Sequence, residues 1–217
     1  TSLKEAKKTI TRIRKGVTRV KSEVVITPPA IFVKPLLGES RSGKLSFGVQ
    51  NIASVPFGAH TGEIAASMVK EVGGHFAIIG HSERRAAGEI DDEVNKKVLL
   101  ALEAKLAPII CVGEGVRDEE GKYFSFVQNQ IEKALKGVAG KDLRYVTIAY
   151  EPIWAIGSKS KGALNPSLVE EMAIFIKRVL SQLFDAKQAS AVRILYGGSV
   201  NPDNTAALLE EKNIGGL

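Results

Sequence analysis

Three short stretches carry side chains whose types and spacing could do chemistry. In Ala149-Tyr-Glu-Pro-Ile-Trp-Ala-Ile-Gly157 a lone carboxylate, Glu151, stands directly after an apolar run and before Pro152. Proline cannot extend a strand ladder, so Glu151 is left at the strand's C-terminal end as a candidate base. Trp154 and Ile156 give the following loop an apolar underside that could pack over a site and exclude water, and Gly157 supplies the backbone freedom of a hinge. In Gly80-His-Ser-Glu-Arg-Arg85, His81 leaves a strand into a turn or a short helix N-terminus. Positive peptide-dipole ends there disfavour a second positive charge, and a neutral imidazole can donate a hydrogen bond. In Tyr196-Gly-Gly-Ser-Val200 two glycines let backbone N–H groups approach a ligand and Ser199 adds a hydroxyl, which makes an anion cradle. Taken singly, each stretch also has a plain structural reading: a surface turn after a strand, a His-Ser helix cap, a Gly-Gly-Ser turn.

The elements that must position these residues follow one rhythm. Leu3, Ala6, Ile10 and Ile13 fall at helical spacing between Ser2 and Gly16, so the chain opens on a helix with no strand before it. Buried-type strands are predicted at 24–27, 45–50, 76–80, 109–112, 146–150 and 193–196, with 214–217 as the opening of another. Helices are predicted at 61–72, 91–105, 123–136, 166–184 and 203–211, and a helical or irregular segment runs to Leu37. The strands are continuous apolar runs, as expected where helices cover both faces of a parallel sheet. No linker divides the series, so residues 1–217 read as one α/β domain of repeated β-α units. At about 32 residues per unit, eight units would need about 250 residues, the size of a closed eight-fold barrel. The chain is expected to lack the first strand and most of the last β-α unit of such a barrel. A doubly wound sheet is the competing architecture, but it favours a Gly-x-Gly-x-x-Gly turn that is absent here.

Composition narrows the functions further. Of the 217 residues 44% are hydrophobic and 25% charged, which is ordinary for a folded domain. No apolar run approaches the ~20 residues of a membrane helix and no signal peptide opens the chain, so a cytoplasmic protein without a membrane partner is expected. One cysteine, Cys111, and three scattered histidines leave neither a disulfide nor a zinc cluster. The net charge of +6 arises from basic residues dispersed among 24 acidic ones. The densest basic run, Lys4 to Lys21, is an amphipathic helix and its exit, which argues against nucleic acid and fits attraction of small anions.

Together with Cys111-Val-Gly-Glu114, Gln50-Asn51, Thr61-Gly-Glu63 and Val94-Asn-Lys-Lys97, the three stretches closely resemble the triosephosphate isomerase family over essentially the whole chain. The resemblance implies a (β/α)8 TIM barrel that interconverts dihydroxyacetone phosphate and glyceraldehyde 3-phosphate without metal or cofactor, as a cytoplasmic homodimer of glycolysis and gluconeogenesis. It implies that Glu151 moves the carbon-bound proton and that His81 is the neutral electrophile. Gly157, Gly198 and Ser199 would bind phosphate, Glu83 would lie at the floor of the site, and Ser82 would add a supporting hydroxyl. Thr61 and Glu63 would reach a second subunit, with Glu63 pairing with its Arg84. Cys111 and Glu114 match family positions in a supporting capacity, and His60 and His75 match no catalytic position.

Three departures from the family pattern stand beside these. The family's first strand supplies an Asn and a Lys, a final Gly-Gly pair completes its phosphate cradle, and Ser158-Lys-Ser-Lys-Gly-Ala163 differs from its lid exit. The 217 residues as written are therefore expected to be an inactive isomerase, an incomplete barrel. The competing functions are a different phosphate-binding barrel enzyme and a non-catalytic barrel segment that acts only in binding.

Overall fold

A computed structural model describes residues 2–17, 21–38, 45–155 and 165–217. The chain forms two compact units, one of Thr1–Ile79 with Leu100–Pro108 and one of Gly80–Leu99 with Ile109–Leu217. The first contains α1 (Leu3–Val17), β1 (Val24–Ile26), α2 (Ala30–Leu37), β2 (Leu45–Val49), α3 (Ala66–Glu71) and β3 (Phe76–Ile79). β1 and β2 pair in parallel from Val24↔Leu45 to Ile26↔Phe47, and β2 pairs with β3 at Gly48↔Phe76 and Val49↔Ala77. A Cβ at Gly48 would lie 2.5 Å from the Phe76 carbonyl oxygen, so this close strand contact requires glycine. The helix predicted over 61–72 begins only at Ala66. Gly62 at φ +86° and a Glu63 N–H bond to the His60 carbonyl turn the chain back before it.

The second unit contains α4 (Ser82–Ala86), most of α5 (Asp91–Glu103) and most of β4 (Ala107–Val112). α6 (Lys122–Ala134), β5 (Thr147–Tyr150), α7 (Pro166–Leu183), α8 (Ala186–Ser190), β6 (Arg193–Tyr196) and α9 (Pro202–Glu210) follow. β5 is parallel to β4 on one side, from Ile109↔Thr147 to Val112↔Tyr150, and to β6 on the other, from Thr147↔Arg193 to Tyr150↔Tyr196. All four β5 residues are buried, which is why its sequence is a continuous apolar run instead of an alternating one. The strand opening expected at 214–217 pairs with β6: the Gly215 N–H donates to Ile194 and the Tyr196 N–H to Gly216.

α7 shows how the helices cover this ladder. Val169, Met172, Ala173, Ile176, Val179 and Leu180 repeat at steps of three and four and all are buried. Each larger member contributes about 1.5–3 kcal/mol relative to an exposed position. Pro166 at the first turn and an Asn165 side chain accepting the Ser167 N–H begin the helix. α8 and a 3-10 turn at Gly140–Tyr145 were not expected, since five or six residues are too short for a hydrophobic period to register. Among the described residues no helix is long and apolar enough to cross a membrane.

Charge is also buried in this unit. The Glu89 and Lys97 side chains are 3% and 4% exposed, and Glu89 Oε1 accepts from both Lys97 Nζ and Arg84 Nε. Burial alone would push the Glu89 carboxyl up, but the Lys97 and Arg84 bonds and charges outweigh it and hold the group below the usual carboxylate range. A depressed folded-state value contributes stability that is present above the unfolded-state range and lost as pH falls through the folded-state value. Lys97→Met is therefore expected to cost up to about 3 kcal/mol in urea unfolding at pH 7, because it removes the buried cation that, with Arg84, compensates the Glu89 carboxylate. As pH falls through the lowered folded-state value of Glu89 the difference from the parent should shrink, because the carboxylate is neutralised.

Candidate active site

The site is built from the bottom by β5. Its ladder extends one residue past Tyr150, where the Glu151 N–H donates to the Val112 carbonyl at 2.8 Å, and this fixes the backbone of the carboxylate. Pro152 then turns the chain out of the sheet, and Ile153–Ala155 forms a single 3-10 turn. Glu151 is 7% exposed. Two glycines make room for it: a Cβ at Gly113 would lie 1.8 Å from the Glu151 carbonyl oxygen, and one at Gly197 would lie 2.8 Å from Glu151 Cγ. The Gly113 N–H is itself held, 2.9 Å from the Oε1 of buried Gln130 on α6.

The segment after β3 brings the second candidate side chain. Gly80, at φ +73°, turns the chain so that His81 becomes the N-cap of α4. His81 Nδ1 accepts the Glu83 N–H at 3.3 Å, so the ring proton of the neutral form sits on Nε2. That Nε2 lies 3.7 Å from Glu151 Oε1. The Ser82 N–H donates to Glu151 Oε2 at 3.3 Å, so the serine meets the carboxylate through its backbone, whereas the sequence drew attention to its hydroxyl. Glu83 is not drawn into this buried cluster: its side chain is 90% exposed and its carboxylate stands 3.9 Å from His81 Nδ1.

Cys111 lines the same small cavity as Glu151 and Ser82. Burial, then the negative charge of Glu151 beside it, push the thiol well up, so it stays protonated and is not a nucleophile. Glu114, 1% exposed, accepts at Oε1 from the Tyr150 hydroxyl and from Trp154 Nε1, both at 2.8 Å. Burial and the adjacent Glu114 push the Tyr150 phenol far up, which keeps it a donor. Trp154 is thus tied at its polar edge and only part-buried, a connection no sequence pattern predicts, because Glu114 and Trp154 are 40 residues apart.

The third stretch follows β6. The Gly197 N–H is spent on the Tyr150 carbonyl at 2.8 Å and so belongs to the sheet. Gly198 passes against the Tyr196 ring, where a Cβ would be 2.2 Å from the phenolic oxygen. Ser199 Oγ lies 3.5 Å from the Ala155 carbonyl, and the Ser199 carbonyl accepts from Asn204 Nδ2 at 2.8 Å. Asn201 and Asn204 cap α9 reciprocally, which anchors the cradle at its far end. Gly157 lies outside the described residues, as does the rest of 156–164. Thr61 and Glu63 stand in a loop whose residues 56–63 are all exposed, and Arg84 donates to Glu89.

The comparisons with known proteins agree with one another. The profile of the family described as triosephosphate isomerase matches residues 1–217. The triosephosphate isomerase of Thermoanaerobacter pseudethanolicus is 42% identical over 214 residues, covering 98% of this chain and 86% of that protein. Those of Natranaerobius thermophilus and Protochlamydia amoebophila are 43% and 39% identical, over 89% and 90% of this chain and 75% and 74% of theirs. With the profile spanning every residue and the TIM-barrel fold that comes with it, the chain belongs to the triosephosphate isomerase family and is an isomerase.

Proposed function

We propose that the site interconverts dihydroxyacetone phosphate and D-glyceraldehyde 3-phosphate by proton transfer through an enediolate, the reaction of glycolysis and gluconeogenesis. The observation that carries this reading is a buried carboxylate facing a His Nε2 donor at 3.7 Å, with glycine-lined backbone beside both. Glu151 takes a proton from the carbon next to the substrate carbonyl, and the electron pair moves onto the carbonyl oxygen. His81 Nε2–H donates to that oxygen as its negative charge grows. The proton of the adjoining hydroxyl passes to the former carbonyl oxygen by way of His81 Nε2, and Glu151 returns its proton to the former carbonyl carbon, so the base is regenerated and no redox partner is needed. Before it can act, Glu151 must release the Ser82 N–H. Gly157, Gly198 and Ser199 supply the phosphate contacts, Ser82 and Glu83 support the catalytic pair through their backbone N–H groups, which meet Glu151 and His81 in the free enzyme, and no metal or cofactor takes part.

Glu151→Gln should lower kcat at least ~10²-fold with little change in KM, and His81→Gln should lower it by ~10² to 10³. Near-normal kcat in the Glu151 variant would remove it from the mechanism. A phosphorylated three-carbon enediolate mimic should bind the parent protein tightly and protect it in thermal unfolding. Failure to bind would favour another phosphate chemistry.

The second part of the reading is a cytoplasmic homodimer. Phe57 is 73% exposed within the exposed loop 56–63, an apolar surface that a second subunit would cover. In such a dimer Thr61 and Glu63 contact the neighbouring subunit, and Glu63 pairs with its Arg84. Sedimentation of the parent should give a dimer, and Glu63→Arg should shift it towards monomer. A monodisperse parent monomer would refute this part.

A further inference from the structure

Arg85 lies outside every role assigned above, yet it is built into the segment that carries His81 and Ser82. Its Nε donates to the Gly80 carbonyl at 2.8 Å and its Nη1 to Asp91 Oδ1 at 2.6 Å. Asp91 Oδ2 in turn lies 3.4 Å from Lys133 Nζ. The Arg85 and Asp91 side chains are only 16% and 19% exposed, so this two-point grip works in largely desolvated surroundings, where charge-assisted hydrogen bonds are strong. Nη2 is buried and has no hydrogen-bond partner among the described residues. An orphaned buried nitrogen costs stability, and an apolar side chain of similar volume would pack here without that cost. What an apolar side chain cannot do is hold the Gly80 carbonyl.

That carbonyl belongs to the residue on which the corner turns, at φ +73°. The Arg85 backbone N–H also returns to the His81 carbonyl at 3.0 Å. The arginine therefore closes a loop that runs from Gly80 through His81 and Ser82 and back to itself. Rotation of the Gly80–His81 peptide would carry both the imidazole and the Ser82 N–H away from Glu151. Arg85 also borders the small cavity that Glu151, Ser82 and Cys111 line.

We propose that Arg85, held by Asp91, is a positioning residue for the isomerisation, fixing the Gly80–His81 peptide so that His81 Nε2 faces Glu151. The proposal rests on the roles of His81 and Glu151 given above. Its test uses Arg85→Ala, with Asp91→Ala as a second variant should the first not fold, and Lys133→Met as the control that removes only the outer ion pair. Arg85→Ala should lower kcat on the order of 10²-fold, the scale of an ångström-sized misplacement, with KM within about twofold. Methylguanidinium added to folded Arg85→Ala should restore part of kcat, and Lys133→Met should match the parent. In NMR spectra, the His81 Cε1–H resonance, identified by its loss in His81→Gln, should move in Arg85→Ala and Asp91→Ala and stay in place in Lys133→Met. A His81 resonance unmoved in the folded variants, or a rise in KM at unchanged kcat, overturns the proposal. The NMR result needs no activity, so fully active Glu151 and His81 variants would refute the catalytic reading while the resonance still decides the clamp.

Discussion

The site depends on keeping a carboxylate inside the protein. A buried acceptor-only group is tolerated only where donors replace the water it gives up. For Glu151 the Ser82 N–H is such a donor, with His81 Nε2 3.7 Å from the other carboxylate oxygen. The same need explains the glycines. Gly113 and Gly197 lie so close to Glu151 that a side chain on either would displace its backbone or its carboxylate. The sheet itself is drawn into the arrangement, since the last rung of the β4–β5 ladder is the Glu151 N–H on Val112.

Around that centre, buried polar neighbours set the protonation of Tyr150 and Glu89. Tyr150 and Trp154 both donate to one oxygen of Glu114, and the burial that pushes the phenol up keeps it a donor to that carboxylate. Glu89 shows the opposite balance, where Lys97 and Arg84 overcome burial and keep a carboxylate charged. Buried ion pairs add little net stability compared with apolar packing, because desolvation offsets the attraction. Their placement in and beside α4 and α5, the segment that follows His81, suits a role in fixing geometry.

Much of the site was legible in the sequence because strand ends are marked locally. An apolar run followed by Glu-Pro, by Gly-His-Ser or by Gly-Gly-Ser fixes where a sheet ends and which residue stands there, whatever the rest of the chain does. The period of α7 and the all-buried run of β5 were readable for the same reason. Helix limits were less so. The stretch 61–72 has helical composition, yet the positive φ of Gly62 delays the helix to Ala66.

The sequence by itself determined the order of strands and helices, the family and the identity of Glu151 and His81 as the residues at their ends. Only the tertiary structure decided how those residues are held. It is the Ser82 backbone, with no bond from its hydroxyl required, that meets Glu151, and Glu83 stands in solvent. The partner of Trp154 is a glutamate 40 residues earlier, and Gly197 has already spent its N–H on the sheet. Hydrogen bonds of this kind join positions far apart in the chain and depend on distances of a few tenths of an ångström. No residue type or spacing encodes those distances until the strands and helices are packed.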